Sequence, residues 1–303
     1  MMNDIGSRQN ENRMVALLRA RRRLCSRLKV YQGMVVAVTA ALPVASWWMA
    51  IHQPSLKPYV ASLALVFTLC EVVFLDRWLK GQVKTTAKLQ EEFDCHVLDL
   101  SPNEFLVGTY VDPEDVHHLA AKTFDEVGER QLRDWYPVAV GRVPLHVGRI
   151  LCQRENLIYD ADVRKFYSRL LRLALVAAVV ALLWTGMHVP LEDFLLTYVA
   201  PAMPAMTWML REFFRQKDTI ETLTRLKGEA EKLWRKTMDG LLPQAAAERS
   251  RELQDAIYSH RVTSPLVFDV IYWLNRGSRE GAMNAGADAR VSDYQLKNTP
   301  TSV

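Results

Sequence analysis

One stretch of the chain, 133–167, combines basic, aromatic and amide side chains that could together bind an anion. Arginine forks donate paired hydrogen bonds to phosphate, aromatic faces stack on bases, and Asn or Gln can bond to base edges. The mixture predicts a nucleotide site made by Arg133, Trp135, Tyr136, Arg149, Gln153, Arg154, Asn156, Arg164 and Tyr167. An alternative stays open, in which the aromatic residues lie in a core and nearby carboxylates pair with the arginines: Asp134, Asp160 and Asp162.

A second set of candidate residues lies inside apolar runs. Glu71 is the one acid well inside such a run, where a carboxylate is either functional or paired with a neighbouring arginine. Prolines remove helix hydrogen bonds and can bend a membrane helix. The pattern suits a helix that lines or gates a pore, and a kink without a pore role is the alternative; the residues are Glu71, Thr197, Pro201, Pro204 and Thr207.

Motifs for catalysis are missing from the sequence. There is no Walker loop, GxGxxG, GxSxG or HExxH, and the four cysteines form no CxxC pair. We therefore expect no enzyme activity, no metal site and no cofactor. Nucleic acid is not an expected partner either, because no aromatic residues interleave with the N-terminal arginines.

Four apolar runs must position these candidate residues: about 34–51, 59–75, 170–188 and 194–210. A helix of roughly 20 residues crosses a hydrocarbon layer of about 30 Å, so each run is about long enough to span a bilayer. The short connections make the runs antiparallel neighbours in two hairpins, 32–78 and 169–211. The predicted fold class is mainly α, a four-span helical membrane protein.

The loop charges predict an orientation. Loop 52–58 holds one lysine and loop 187–193 holds none, whereas lysine and arginine are frequent at the opposite ends of all four runs. Because cytoplasmic loops carry an excess of these residues, both termini and the middle region are predicted to be cytoplasmic.

The polar remainder divides into four regions. Residues 1–31 form a basic amphipathic helix, and 79–168 form a helical module between the second and third spans. A helix from Asp160 to Trp184 would connect that module to the third span. Residues 212–275 form a helical cytosolic region, and the small, polar tail 276–303 is predicted to be disordered.

Several short motifs, in a fixed order relative to the four runs, carry a resemblance to a known family. They are Ile5–Asn10, Leu17–Ala20, Asp94–Cys95, Val97–Asn103, Leu132–Pro137 and Cys152–Asn156, followed by Asp160, Arg164 and Tyr167. With them the chain resembles the SMODS-associated four-transmembrane pore-forming effectors, from residue 5 to about residue 273.

The resemblance implies a place in bacterial cyclic-oligonucleotide (CBASS) antiphage defence. A partner nucleotidyltransferase would make a cyclic oligonucleotide, and this chain, as a homo-oligomer in the inner membrane, would bind it and damage the lipid bilayer. One alternative is a non-conducting membrane anchor that recruits a cytosolic partner. A small-solute transporter is another, but the internal inverted repeat and polar midplane residues that would favour it are not evident.

Overall fold

The computed structural model describes residues 3–298, without the side chains of 273, 275–280, 282 and 283. This part of the chain is mainly helical and contains no strand. The α-helices are α1 Ile5–Arg8, α2 Asn12–His52, α3 Lys57–Cys70, α4 Asp76–Val97, α5 Glu104–Val107, α6 Pro113–Ala120, α7 Glu126–Arg130, α8 Leu145–Gly186, α9 Leu191–Asp193, α10 Ala200–Met238, α11 Pro243–Thr263 and α12 Asp269–Asn298. Short 3₁₀ segments lie at Pro54–Leu56 and Val138–Arg142, and π-helical segments at Glu71–Leu75 and Phe194–Val199.

Four long rods organise the molecule: α2, α3 with α4, α8, and the second π segment with α10. Each rod buries side chains in one half and exposes apolar side chains in the other. In α2, Met14 and Leu18 are buried at the start, whereas Val44 and Ile51 are about 60% exposed near the end. We call the halves with buried side chains, taken together, the polar bundle, and the halves with exposed apolar side chains the apolar halves. Exposure of so much apolar surface is costly in water and expected in lipid.

Three helical stretches are long and apolar enough to cross a membrane: Asn12–His52, Pro54–Val97 and Leu145–Gly186. The fourth apolar run, 194–210, is not among them. Two prolines, two threonines, a tyrosine and a tryptophan lower its hydropathy. Three of the predicted spans thus have a matching candidate helix, and the fourth stays a prediction.

One continuous hydrophobic core fills the polar bundle. The start of α2 packs on α4, and α8 packs on α10 and α11. Phe93, Ile150, Leu151 and Leu223 are fully buried where these helices meet. Burying side chains of this size contributes about 1.5–3 kcal/mol each, so packing holds the rods together at this end.

Two helices differ from the sequence prediction. The helix that the sequence predicts from Asp160 begins at Leu145 instead. Asp160 lies inside α8, where it pairs with Arg164, and it does not cap the start of the helix. The tail predicted to be disordered is helical as far as Asn298, and residues 299–303 lie outside the described residues. Ala287 and Val291, one turn apart, are fully buried, and Val291 joins the core; this stripe is too narrow to stand out in a polar sequence.

Candidate functional site

The motif 132–137 is held in place by the N-terminus. The Tyr136 backbone N–H donates to Gln9 Oε1 at 2.7 Å, and Gln9 Nε2 donates back to the Tyr136 carbonyl at 3.3 Å. Asn10 Nδ2 donates to the Asp134 carboxylate at 2.8 Å, and the Asp134 backbone N–H donates to Asn10 Oδ1 at 3.1 Å. These contacts join two motifs that lie more than a hundred residues apart in the sequence.

The predicted nucleotide residues do not share one open surface. Arg133 is exposed and Trp135 is partly buried, but Tyr136 is only 1% exposed and lies in the core. Tyr167 is also buried, in a separate cluster with Trp208 and Val267. The alternative in which Trp135 and Tyr136 are core residues therefore holds for Tyr136, and the partly buried Trp135 packs against the same core, with its ring 6.4 Å from that of Phe93.

Three of the four arginines in the predicted site bond to groups within the protein. Arg149 Nε donates to the Leu98 carbonyl at 2.6 Å. Arg154 pairs with Glu155 at 2.9 Å and with Glu231 at 3.1 Å.

Arg164 is buried between helices. It donates to Asp160 Oδ1 at 2.8 Å, to Gln216 Oε1 at 3.0 Å and to the Pro265 carbonyl at 2.9 Å. Burial alone would raise the pKa of Asp160, but Arg164 and His260 hold it well below its usual range. Of the three acids proposed as arginine partners, Asp160 pairs with an arginine, Arg164. Asp162 instead lies 3.8 Å from Lys165, and Asp134 bonds to Asn10.

Gln153, Asn156 and Tyr136 take part in a buried polar network centred on Asp94. The Asp94 side chain is completely buried and accepts from Tyr136 Oη at 2.8 Å, Gln90 Nε2 at 2.8 Å, Arg261 Nη1 at 2.6 Å and Gln254 Nε2 at 3.1 Å. Asn156 Nδ2 donates to the same tyrosine hydroxyl. We call these residues, together with Glu91, Cys95 and Arg251, the Asp94 network.

Glu91, Cys95 and Arg251 extend the Asp94 network. Arg251 Nη2 donates to Glu91 Oε1 at 2.7 Å, and its Nη1 lies 3.1 Å from Cys95 Sγ. Burial, together with the Glu91 carboxylate, raises the pKa of the Cys95 thiol to about 12. Cys95 is therefore a neutral thiol, and not an activated nucleophile. Among the described residues, no group of three His, Cys, Asp or Glu is arranged to hold a metal ion.

The Asp94 network ties α4 and α11 to α8. Gln153 bonds to Ser250 and Gln254, so one amide joins two helices. Sequence reasoning missed Arg251, Gln254 and Arg261. Their spacing of three and seven residues places them on one face of α11, which was the available signal.

Charged pairs close the junction between the polar bundle and the apolar halves. Glu71 pairs with Arg211, and Asp76 pairs with Arg215 at 3.0 Å. Glu71 and Asp76 are five residues apart, and the π segment between them lets both acids face arginines that are four apart on α10. A cavity of about 50 Å³ beside these pairs, the junction cavity, is lined in part by Gln32, Glu71, Trp208, Arg211 and Ser264.

The predicted pore residues lie on buried faces of the rods. Glu71 is 8% exposed and has the arginine partner that the sequence left open. Thr197, Pro201 and Pro204 are buried, and Thr207 is half-buried. Glu71 is at the junction cavity, whereas Thr197 is near the opposite end of the apolar half.

Comparisons with known proteins cover both parts of the molecule. The family model described as "SMODS-associating 4TM effector domain" matches residues 3–289. A protein of Bacillus cereus (strain VD146), named a probable CBASS effector molecule, is 24% identical over 281 residues. That alignment covers 89% of this chain and 92% of the relative. No solved structure matches.

Proposed function

Because the chain belongs to the family of SMODS-associating four-transmembrane (4TM) effector domains, we propose that it is a CBASS effector that makes the bacterial inner membrane leaky when a cyclic oligonucleotide binds to its cytosolic side. The relative named as a probable CBASS effector supports this assignment. The resemblance read from the sequence points to the same family.

The continuity of the rods is the observation that carries the proposal. The 42 residues of α8 extend for about 63 Å, from buried positions in the polar bundle to exposed apolar ones. A rigid shift of the buried end would therefore be carried along this helix to the exposed end. A ligand can drive such a change only if it binds one arrangement better than the other.

We place all four apolar runs across the membrane, with both termini in the cytoplasm. The ion pair between Lys57 and Asp193, at 2.6 Å, joins the two loops on the opposite side. Aromatic residues, which favour membrane interfaces, lie at both ends of the apolar halves: Tyr31 and Trp78 at one end, Trp48 and Trp184 at the other. Four spans in one chain give a small lumen, so we also propose a homo-oligomer.

The accessible part of the proposed ligand site is Arg133 with Trp135. The Arg21 guanidinium lies 5.5 Å from the centre of the Trp135 ring, and the exposed Arg133 is two residues away along the chain. This arrangement suits a phosphate and a stacked base. Arg149, Arg154 and Arg164 would take part only if the ligand displaced their present partners.

The experiment is leakage from liposomes that carry the purified protein, tested with a panel of cyclic di- and trinucleotides. We expect one nucleotide to trigger leakage. Arg133→Ala should raise the concentration needed by about tenfold or more, the value of one lost charge-assisted contact. Arg130→Ala is the matched control, because Arg130 is also exposed and its contacts are with Glu126 of its own helix: Nε donates to the Glu126 carbonyl at 3.3 Å, and the guanidinium lies 3.7 Å from the carboxylate. If no nucleotide binds or triggers leakage, the proposal is wrong.

A non-conducting anchor that recruits a partner is the second candidate function. Phe105, in the short helix α5, is fully exposed, and Leu106 beside it is 38% exposed. Exposed apolar side chains of this kind suit a protein partner. This alternative predicts nucleotide binding without leakage in the same experiment, together with partner binding that Phe105→Ser abolishes.

A further inference from the structure

The inward face of the first apolar run is polar along its length. Gln32, Thr39 and Ser46 follow one another at seven-residue intervals, which is close to two helical turns, so they share a face. They are 6%, 2% and 1% exposed, whereas Val44 on the outer side is 63% exposed. A helix that only had to pack against others in lipid would not need polar groups at each of these levels.

The fourth apolar run presents polar groups to the same interior. Thr197 is 2% exposed and lies in the π segment that packs against α2. Pro201 and Pro204, also buried, have no backbone N–H for the carbonyls four residues earlier, those of Thr197 and Ala200. Both carbonyls therefore lose their usual helical donor.

The polar groups of the first and fourth apolar runs lie at matching depths in the apolar halves. Gln32 and Arg211 line the junction cavity together. Fourteen residues forward from Gln32 is Ser46, and fourteen residues back from Arg211 is Thr197. Because the two runs are antiparallel, both steps rise about 21 Å in the same direction. We call the resulting line the polar seam: Gln32, Thr39, Ser46 and Thr197, with Glu71 and Arg211 at its inner end.

The polar seam contains orphaned polar atoms. Within the described part of the chain, Gln32 Oε1, Ser46 Oγ, Thr197 Oγ1 and Arg211 Nη1 are buried and have no hydrogen-bond partner. Lipid offers no partner to such groups, and buried polar sites of this kind hold water. Half of the orphaned side-chain atoms of the described chain lie along this one line.

We propose that the polar seam holds a file of water and is a proton path through the interior of each protomer. The unpaired Ser46 and Thr197 hydroxyls line it, whereas the Thr39 hydroxyl between them donates to the Val36 carbonyl of its own helix at 2.9 Å. A carboxylate, Glu71, stands at the inner end, as in proton relays. The Glu71–Arg211 pair closes the inner end in this structure, and the Lys57–Asp193 pair closes the outer end. The inference deepens the proposed function, because it places the path inside one protomer and restricts what passes to protons and water.

The first test is thiol accessibility, which needs no nucleotide. N-ethylmaleimide crosses membranes but reacts with thiolates, which form only where water is present. We expect Ser46→Cys and Thr197→Cys, read peptide by peptide with mass spectrometry, to react at least about tenfold faster than Val44→Cys at the same depth. Native Cys70, exposed towards lipid, is an internal control. Labelling as slow as that of Val44→Cys would overturn the proposal.

The second test removes the Glu71–Arg211 ion pair by substitution, so that no ligand is needed. Vesicles carrying Glu71→Gln/Arg211→Gln should admit protons faster than the wild type while they retain a trapped dye. Adding Thr197→Val should slow that entry by about tenfold. Adding Thr185→Val should not, because the Thr185 hydroxyl bonds to its own helix at the Ala181 carbonyl. Release of the dye together with protons, or no effect of Thr197→Val, would contradict the inference.

These outcomes are separate from those of the proposed function. A dry seam would leave nucleotide-triggered leakage intact, with the path then lying between protomers. If the polar seam holds water but no nucleotide has an effect, the nucleotide trigger of the proposed function is wrong and the proton path is still supported.

Discussion

Removal of the Asp94 carboxylate is the sharpest test of the polar bundle. Asp94→Ala would leave Arg261, Gln254 and the Tyr136 hydroxyl without their shared acceptor. Breaking a buried ion pair by removing one partner costs about 3–5 kcal/mol, because the other charge stays buried. The Arg261 side chain is only 18% exposed, so water can relieve little of that cost. We therefore expect a loss in the free energy of unfolding within this range.

The assay is thermal unfolding in detergent, followed by circular dichroism. Asp162→Ala is the matched control, since Asp162 is exposed and lies 3.8 Å from Lys165; such a pair contributes less than about 1 kcal/mol. A second variant, Asp94→Ala/Arg261→Met, should recover about 2 kcal/mol, because it removes the stranded charge as well. A loss below about 1 kcal/mol for Asp94→Ala would refute the reasoning, as would a double variant that is no more stable than the single one.

Three further predictions follow from individual contacts. Cys95, whose pKa is raised to about 12, should resist iodoacetamide at pH 8 until the protein unfolds, as peptide mass spectrometry would show. The lowered pKa of Asp160 contributes stability that is fully present above a pH of about 4. This contribution is lost as the pH falls through the pKa that Asp160 has in the folded protein. Asp160→Asn should therefore flatten the acid limb of a pH–stability curve. Val291→Asp should detach α12 from the core, giving faster proteolysis after residue 269 but unchanged helicity of α8, because a carboxylate cannot remain buried there without a partner.

Hydropathy and spacing predicted the helical class and the three candidate membrane-spanning helices, because the signal for a span is local. The partners of the arginines were not predictable in the same way. Arg149 bonds to the carbonyl of Leu98, and Arg164 bonds to the carbonyl of Pro265. Every residue carries a backbone carbonyl, so no residue type marks such a partner.

The Asp94 network shows a second limit. Asp94 and Arg261 are 167 residues apart, and each alone has the pattern of an exposed charge on a helix. Only the packing of α11 against α4 makes them a buried pair. The prediction that Tyr136 and Gln153 face a ligand was reasonable from chemistry, but the bundle directs both side chains inward.

The π segment Glu71–Leu75 also constrains how this chain can change over time. A π turn is an α-helix with one residue inserted, and deleting that residue would restore regular helix geometry. It would also rotate everything after it by about 100°, turning Asp76 away from Arg215 and the whole of α4 away from α11. Apart from Glu71, whose carboxylate pairs with Arg211, the residues of this segment are exposed and can be substituted one at a time. A single-residue deletion, in contrast, would put the second rod out of phase with its neighbours. We therefore expect related sequences to vary in composition between positions 71 and 75 while keeping the same length.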